Sequence, residues 1–107
     1  MIQFNFAAGE RDSNALEIVD FYYMALVFGA WTGDATLEVH TSSTKDGMYT
    51  PLYTSGGDAV VIPAVANRVY AIVGEFAEAI SATSYIKLRT PTNPIPAGGA
   101  TVNVLGR

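Results

Sequence analysis

The sequence of 107 residues contains no cysteine and a single histidine. The absence of cysteine excludes disulfide bonds, thiolate metal sites and a thiol nucleophile. A globular chain of this length can still bury roughly 65% of its unfolded surface, so a core forms without such cross-links. We therefore expect one domain, 1–107, in which residues 1–15 form an N-terminal strand or arm.

Charged side chains are also scarce. They make up 15% of the sequence, against about 25% in ordinary globular domains. Ten acidic residues outnumber six basic ones and give a net charge of −4. Binding to nucleic acid or to an anionic membrane requires a basic patch, and here Lys87 and Arg89 are the one pair of basic residues close together in sequence. The composition therefore predicts that neither nucleic acid nor a membrane is a partner.

Hydrophobic residues reach 50% of the chain, which leaves few charges to cover the large surface of a small domain. Two interpretations of this surface stay open. The first is a neutral surface of Thr, Ser, Asn, Gly and Ala, which is common in β-proteins. The second is a surface that largely contacts other protein, because interface cores are depleted in charge.

The sequence shows no recognisable targeting segment. Its first ten residues lack a basic start and a long apolar run. The longest uncharged apolar run, 21–31, has eleven residues, whereas a membrane-spanning helix needs about 20. We therefore expect a soluble protein that is made and used without secretion.

Short segments in which apolar and polar residues alternate recur along the chain, as expected for strands with one buried face. The run 21–28 is apolar throughout and favours a strand buried on both faces. The segment 75–82 favours a helical turn with Phe76, Ala79 and Ile80 on one face. The alternating segments are 2–6, 16–18, 36–41, 85–89 and 101–105.

Turn signals separate these segments, and the loop 90–99 carries three prolines and two glycines. Such a loop cannot be regular structure, and we expect it to cross from one sheet to another. The pattern predicts an all-β fold, an antiparallel β-sandwich or jelly roll of about seven or eight short strands.

The histidine, His40, lies on the same predicted strand face as Glu38 and Ser42. An acid, an imidazole and a hydroxyl are the components of a hydrolytic triad. Same-face residues along one strand are about 6.5–7 Å apart, however, which does not give both hydrogen bonds of a triad. We therefore interpret these residues as a solvated polar face and predict no catalytic residue and no enzymatic activity.

Turn aspartates and aromatic side chains each have a structural and a functional interpretation. Asp34, Asp46 and Asp58 lie in or beside turns, where carboxylates either bind Ca²⁺ or cap the local backbone. Neither EF-hand spacing nor a histidine cluster accompanies them, so we predict capping, with no metal and no cofactor. The aromatic residues could stack on a sugar, but we predict core and cross-strand pairs. They include Tyr22, Tyr23, Trp31, Tyr49, Tyr53, Tyr70 and Tyr85.

A longer pattern extends over most of the chain. It comprises a Trp, an apolar alternation, an Asp-Gly turn followed by an aromatic residue and Leu-Tyr, and a late Ile-Lys-Leu-Arg-Thr. In this sequence it is carried by 31–39, 43–53 and 85–90, preceded by Ala7-Ala8-Gly9 and Leu16-Glu17-Ile18. The pattern resembles that of small tailed-phage virion structural proteins of the β-sandwich type, in which the segment 75–84 has no counterpart.

The resemblance implies a capsid decoration, or cement, protein that binds the major capsid protein and stabilises the head shell. Such a protein acts through buried area, forms a homotrimer, and lies on the outer surface of the phage head after assembly in the host cytoplasm. Two alternatives stay open. One is a minor tail or baseplate component of the same virion, and the other is a carbohydrate-binding jelly-roll module.

Two groups of residues are the expected protein interface. The first is the strand edge that contains Ile2, Phe4 and Phe6, which can pair with a neighbouring chain. The second is Lys87 and Arg89, expected to point out of their sheet towards carboxylates on a neighbour. Within the same pattern, Asp46-Gly47 is expected to supply the positive φ of a tight hairpin, and Trp31 is expected to anchor one end of the core.

Overall fold

Two antiparallel β-sheets form a β-sandwich, as the alternating pattern predicts. The computed structural model describes residues 2–18, 24–96 and 98–106. Within these residues the chain forms nine strands and one helix, slightly more strands than expected. Their bounds are β1 Ile2–Phe6, β2 Leu16–Glu17, β3 Met24–Phe28, β4 Thr36–Ser42, β5 Thr50–Pro51, β6 Val61–Pro63, β7 Val69–Ile72, α1 Gly74–Ser81, β8 Tyr85–Arg89 and β9 Ala100–Gly106.

The four-stranded sheet has the order β1-β9-β3-β7. Phe4 of β1, Val102 of β9 and Leu26 of β3 are all 0% exposed. The register places Phe4 opposite Val102 and Leu26 opposite Val104. Because opposite residues of neighbouring strands share a face, these side chains form one continuous inner surface.

The five-stranded sheet has the order β2-β8-β4-β5, with β6 also paired to β4. Its inner face is built by Leu37 and Val39 of β4 and by Ile86 and Leu88 of β8, each at most 1% exposed. Strand β5 contains Pro51, which lacks a backbone N–H. It is accommodated because β5 lies at the sheet edge, as the sequence indicated.

Strand β3 accounts for the described part of the apolar run 21–28, whose residues 21–23 lie outside the described residues. The expectation that this strand is buried on both faces is wrong. Met24, Leu26 and Phe28 are buried, whereas Ala25 and Val27 between them are half-buried. The run is uninterrupted because small apolar side chains occupy the outer face as well.

Trp31 anchors one end of the core, as predicted, and is 8% exposed. Its ring meets the rings of Phe6 and Phe28 edge-on, each with a centroid separation of 5.7 Å. Such edge-to-face pairs are favourable because the positive ring edge meets the negative ring face. The indole N–H donates to the backbone oxygen of Asp34 at 2.9 Å, so the buried polar group of the ring is satisfied.

A helix, α1, connects β7 of one sheet to β8 of the other. Ile80 is buried, and Phe76 and Ala79 pack against the core, which confirms the predicted shared face. The helix begins at Gly74, whose φ of 63° lies in the left-handed region that favours glycine. No helix among the described residues has the length and apolar character needed to cross a membrane.

The loop after β1 is bonded into the sandwich. Gly9 N–H donates to Ile95 O at 2.8 Å and Ile95 N–H to Glu10 O at 2.9 Å. Ser13 exchanges two bonds with Leu88, because its N–H donates to Leu88 O at 2.9 Å and its Oγ accepts from Leu88 N–H at 2.9 Å. The N-terminal segment therefore takes the form of an integrated strand. The loop 90–99 crosses between the sheets, as expected, since β8 and β9 belong to different sheets.

The turn at Asp46-Gly47 does not follow the expected geometry. Gly47 is absent from the described glycines with positive φ, so the predicted tight-hairpin conformation is wrong. A Cβ placed at Gly47 would meet Thr44 Oγ1 in a severe clash and Ser42 Oγ at 2.6 Å. Glycine is favoured there because side-chain hydroxyls occupy the space and a Cβ would have to displace them, not because of its backbone conformation.

Candidate interaction surface

The outer face of the five-stranded sheet carries most of the charge found on the strands. The register places Glu38 opposite Arg89 and His40 opposite Lys87, and Glu17 lies opposite Tyr85. We call this surface, defined by Glu17, Glu38, His40, Tyr85, Lys87 and Arg89, the charged face. Its side chains are largely engaged with one another or with neighbouring loops.

The Glu38-His40-Ser42 set does not form a triad. His40 Nε2 lies 3.0 Å from Glu38 Oε1, so the acid and the imidazole are in hydrogen-bond contact. Ser42 Oγ instead accepts the N–H of Thr44 at 3.2 Å, and Ser42 is 9% exposed. The hydroxyl therefore shapes the following turn, and the arrangement lacks the hydroxyl-to-imidazole contact that activates a serine.

Both basic residues expected to meet a neighbour are engaged within this chain. Arg89 Nη1 donates to both carboxylate oxygens of Asp12 at 2.9 Å. Lys87 Nζ lies 4.4 Å from the centre of the Tyr49 ring, a cation–π contact. Burial raises the pKa of the Tyr49 hydroxyl, with further contributions from Asp46 and Tyr85. Lys87 and Arg89 do point out of their sheet, but a partner carboxylate would have to replace these contacts.

A shallow groove of about 600 Å³ lies at one end of the charged face. Serine and threonine hydroxyls dominate its lining, and Met48, 87% exposed, borders it. Its lining contains neither an aromatic ring nor an ionisable side chain. The groove therefore lacks a stacking surface for a sugar and the acid or base that catalysis requires.

The three turn aspartates, Asp34, Asp46 and Asp58, do not share one structural role. Asp34 Oδ2 accepts the N–H groups of Thr92 at 2.8 Å and Asn93 at 3.1 Å. These backbone N–H donors, Thr92 first, lower the pKa of the Asp34 carboxyl from its ordinary value of 3.8. Asp34 is therefore a backbone cap, as predicted, whereas the carboxylates of Asp46 and Asp58 accept no hydrogen bond from the described residues, so the capping prediction is wrong for these two. Among the described residues no group of three His, Cys, Asp or Glu side chains is placed to hold a metal ion.

The predicted aromatic residues divide between the core and the outer surface. Trp31 is buried, and Tyr70 packs against the core. Tyr49 and Tyr85 are half-buried, while Tyr53 is 56% exposed. Tyr22 and Tyr23 lie outside the described residues. Trp31 and Tyr70 thus confirm the predicted core role, Tyr53 does not, and the described rings are not gathered on one platform.

The outer face of the four-stranded sheet is entirely different, because its residues carry no charge. One row across the sheet joins Gln3, Asn103, Val27 and Val69 as opposite partners. In the neighbouring rows, Asn5 lies opposite Thr101, and Ala25 lies between Leu105 on one side and Ala71 on the other. We call this surface the uncharged face, defined by Gln3, Asn5, Ala25, Val27, Val69, Ala71, Thr101, Asn103 and Leu105.

The uncharged face has a polar half and an apolar half. On the polar half, Gln3 Nε2 donates to Asn103 Oδ1 at 3.1 Å and Thr101 Oγ1 donates to Asn5 Oδ1 at 3.1 Å. On the apolar half, Leu105 is 57% and Val69 is 62% exposed. Exposed apolar side chains grouped on a face without charge are typical of a protein interaction surface.

The edge of this sheet at β1 is not the open interface that was expected. Phe4 and Phe6 are 0% and 3% exposed, so their side chains fill the core and any pairing with a neighbouring chain would involve the backbone of β1 alone. Asn14 occupies the backbone edge beside Asn5. Ile2, 42% exposed, is the one residue of the predicted trio whose side chain reaches the surface.

The uncharged face was not predicted from the sequence, which pointed to the neighbouring β1 edge. The signal was present in part, since the outward positions of the segments 2–6 and 101–105 are all uncharged and, apart from Leu105, polar. That these positions lie on the same face as Ala25, Val27 and Val69 depends on the order of the strands in the sheet. The alternation of apolar and polar residues does not predict that order. Comparison with protein-family models, with curated proteins and with solved structures gives no match for this chain.

Proposed function

We propose that this chain is a phage virion structural protein, a capsid decoration protein on the outer surface of the phage head. In this role it binds the major capsid protein through the uncharged face and stabilises the shell. The observation that carries the proposal is that the charged residues of the described strands all lie on the five-stranded sheet, which leaves the outer face of the four-stranded sheet without charge. Desolvating a face without charges avoids the cost of stripping water from ions, and the exposed side chains of Leu105 and Val69 favour burial.

The strand pairing supports the same role. Pairs are nested along the chain, with β1 on β9, β2 on β8, β3 on β7, and β4 on β5 and β6. We infer that this nesting makes the sandwich a jelly roll, in which a long antiparallel hairpin is folded over on itself. Jelly rolls recur in viral capsid proteins and in lectins. The groove lined by serine and threonine offers no aromatic ring to a sugar. A second groove of about 320 Å³ contains Tyr53, Glu75 and Glu78, and the carbohydrate-binding alternative would place its ligand there.

The size of the face sets how strongly one copy can bind. With strands about 4.8 Å apart and about 3.3 Å per residue, four strands of five residues cover about 320 Å². A stable interface ordinarily buries about 800 Å² per partner. A single face therefore gives weak docking, and stabilisation of a shell comes from many copies that bind the assembled lattice in preference to free subunits.

The test is sedimentation of the purified chain with shells assembled from the major capsid protein that the same genome encodes. Wild-type protein is expected to sediment with the shells and to raise their melting temperature. Leu105→Lys, which puts a charge on the uncharged face, should weaken binding at least tenfold. Val61→Lys is the matched control, because Val61 is an exposed strand residue on the opposite sheet.

Equal binding by the Leu105 and Val61 variants would refute the role of the uncharged face. Failure of the wild-type chain to bind shells, together with its recovery in purified tail or baseplate fractions, would refute head decoration. That outcome would support the alternative of a minor tail or baseplate component.

A further inference from the structure

The two edge strands of the four-stranded sheet, β1 and β7, differ in whether their outward backbone groups are hydrogen-bonded. At β1, Asn14 bonds to Asn5 and covers the backbone edge. At the other edge, β7 pairs with β3 alone among the described strands. Phe28 N–H donates to Arg68 O at 2.8 Å, so by alternation Tyr70 and Ile72 also direct their backbone groups towards β3.

The backbone groups of Val69 and Ala71 therefore point away from the sheet. No described residue forms a hydrogen bond with them on that side. The side chains there are also uncovered, since Val69 and Val73 are 62% and 69% exposed. Sheet edges are usually protected by a charged residue, a proline or a bulge, and the segment 69–73 contains neither charge nor proline.

We propose that β7 pairs in antiparallel fashion with β7 of a second copy of this chain, about a two-fold axis between the two Ala71 residues. In this register the two Ala71 residues exchange a pair of backbone hydrogen bonds. Val69 of one copy lies opposite Val73 of the other, so that each Val73 N–H can donate to a Val69 C=O. The four valines and two alanines then form one apolar block on the outer face.

Charge complementarity selects this arrangement. Arg68 precedes β7, and Glu75 lies just beyond its other end. Antiparallel self-pairing places Arg68 of each copy opposite Gly74 and next to Glu75 of the other copy, twice in the dimer. Both side chains are exposed, and neither takes part in an ion pair within the described residues. Parallel self-pairing would instead align like charges, which is unfavourable.

The covered β1 edge explains why the assembly closes at two copies. A ring or a fibre built from this sheet requires an open edge of a second kind to accept β7, and at the β1 edge Asn14 already occupies the outward N–H and C=O of Asn5. The proposed assembly is thus a two-fold dimer, in place of the homotrimer that the resemblance implies. It would join the two uncharged faces across a continuous eight-stranded sheet and double the docking area.

The experiment is the native mass of the purified chain by light scattering and sedimentation over a wide concentration range. The proposal predicts a concentration-dependent species of twice the chain mass of 11.4 kDa. A monomer at all concentrations, or a trimer, would overturn it. Since no capsid protein is present, this result is independent of whether the chain decorates a phage head.

Charge-swap variants test the register. Arg68→Glu and Glu75→Arg should each raise the dissociation constant about tenfold, because each replaces two attractive contacts by repulsive ones. The double variant should restore wild-type association. Lys45→Glu and Glu10→Arg are matched controls, because they make the same charge changes at exposed loop positions away from β7. Equal weakening by the controls, or no rescue by the double variant, would refute this register.

A backbone variant tests the ladder itself. Ala71→Pro removes the outward N–H at the axis and leaves the bonds to β3 in place, so it should abolish the dimer while the monomer stays folded by circular dichroism. Unchanged association of a folded Ala71→Pro variant would exclude pairing through β7.

Discussion

Asn14 and Asn5 bond each other in both directions. Asn5 N–H donates to Asn14 Oδ1 at 2.6 Å, and Asn14 N–H donates to the Asn5 C=O at 3.1 Å. Asn14 thus does for this part of β1 what a further strand would do, because its side-chain oxygen and its backbone N–H satisfy the outward N–H and C=O of Asn5. Asn14 Nδ2 also lies 3.4 Å from the Gln3 C=O, so the cover extends along the strand.

Replacing Asn14 should expose the outward backbone groups of β1. Asn14→Ala leaves the Asn5 N–H without its side-chain acceptor, and we expect a loss of about 1 kcal/mol in the free energy of unfolding. With a second open edge, association beyond the dimer should appear as concentration rises. Urea unfolding and light scattering measure the two effects. Asn14→Asp, whose carboxylate oxygen can replace the amide oxygen as acceptor of the Asn5 N–H, should show much smaller effects, and wild-type behaviour of Asn14→Ala would contradict the edge-covering role.

Strand β1 is part of the core, so its inner side chains should dominate its contribution to stability. Phe4 is 0% exposed, and truncation of a buried Phe costs about 3–5 kcal/mol. Phe4→Ala should therefore lower the urea midpoint strongly, while Ile2→Ala at the exposed end should lower it by much less. If the two variants have the same midpoint, the burial of Phe4 is not what holds β1 in place.

Local pattern predicted much of this fold. Alternation located β1, β4, β8 and β9, since each places apolar residues on one face of a strand, and the amphipathic spacing of Phe76 and Ile80 located α1. The burial of β3 was wrongly predicted because alternation is hidden when small apolar residues such as Ala25 fill the outer face. Inward and outward positions could be assigned wherever polar residues marked them.

Contacts that depend on strand order could not be predicted. Arg89 and Asp12 are 77 residues apart in sequence, and their ion pair exists because the loop after β1 runs beside the end of β8. The same is true of the uncharged face, whose nine residues come from four strands. Gly47 was predicted to have positive φ from the Asp-Gly pair, whereas the deciding factor is the position of the hydroxyls around it.

Two glycines near Trp31 provide a matched test of packing at that end of the core. A Cβ at Gly33 would lie 2.7 Å from Trp31 Cζ2, whereas a Cβ at Gly29 would have nothing within 4 Å. Gly33→Ala should lower the free energy of unfolding by about 1–3 kcal/mol, because the indole must shift. Gly29→Ala should be neutral or stabilising by up to about 1 kcal/mol, because it restricts the unfolded chain. Thermal unfolding and Trp fluorescence report both, and equal effects would show that the indole adapts freely.

The Asp34 cap should make stability depend on pH in the acid range. Backbone donors at Thr92 and Asn93 hold the pKa of this carboxyl below its ordinary value of 3.8. A group whose pKa is lower in the folded state stabilises the fold above its unfolded pKa, and this contribution is lost as pH falls through the folded value. The difference in melting temperature between wild type and Asp34→Asn should therefore be full at neutral pH and shrink below about pH 4. Asp58→Asn is the control, since the Asp58 carboxylate accepts no hydrogen bond from the described residues. A difference for Asp34→Asn that persists unchanged at low pH would show that the carboxylate charge does not hold the 90–96 loop.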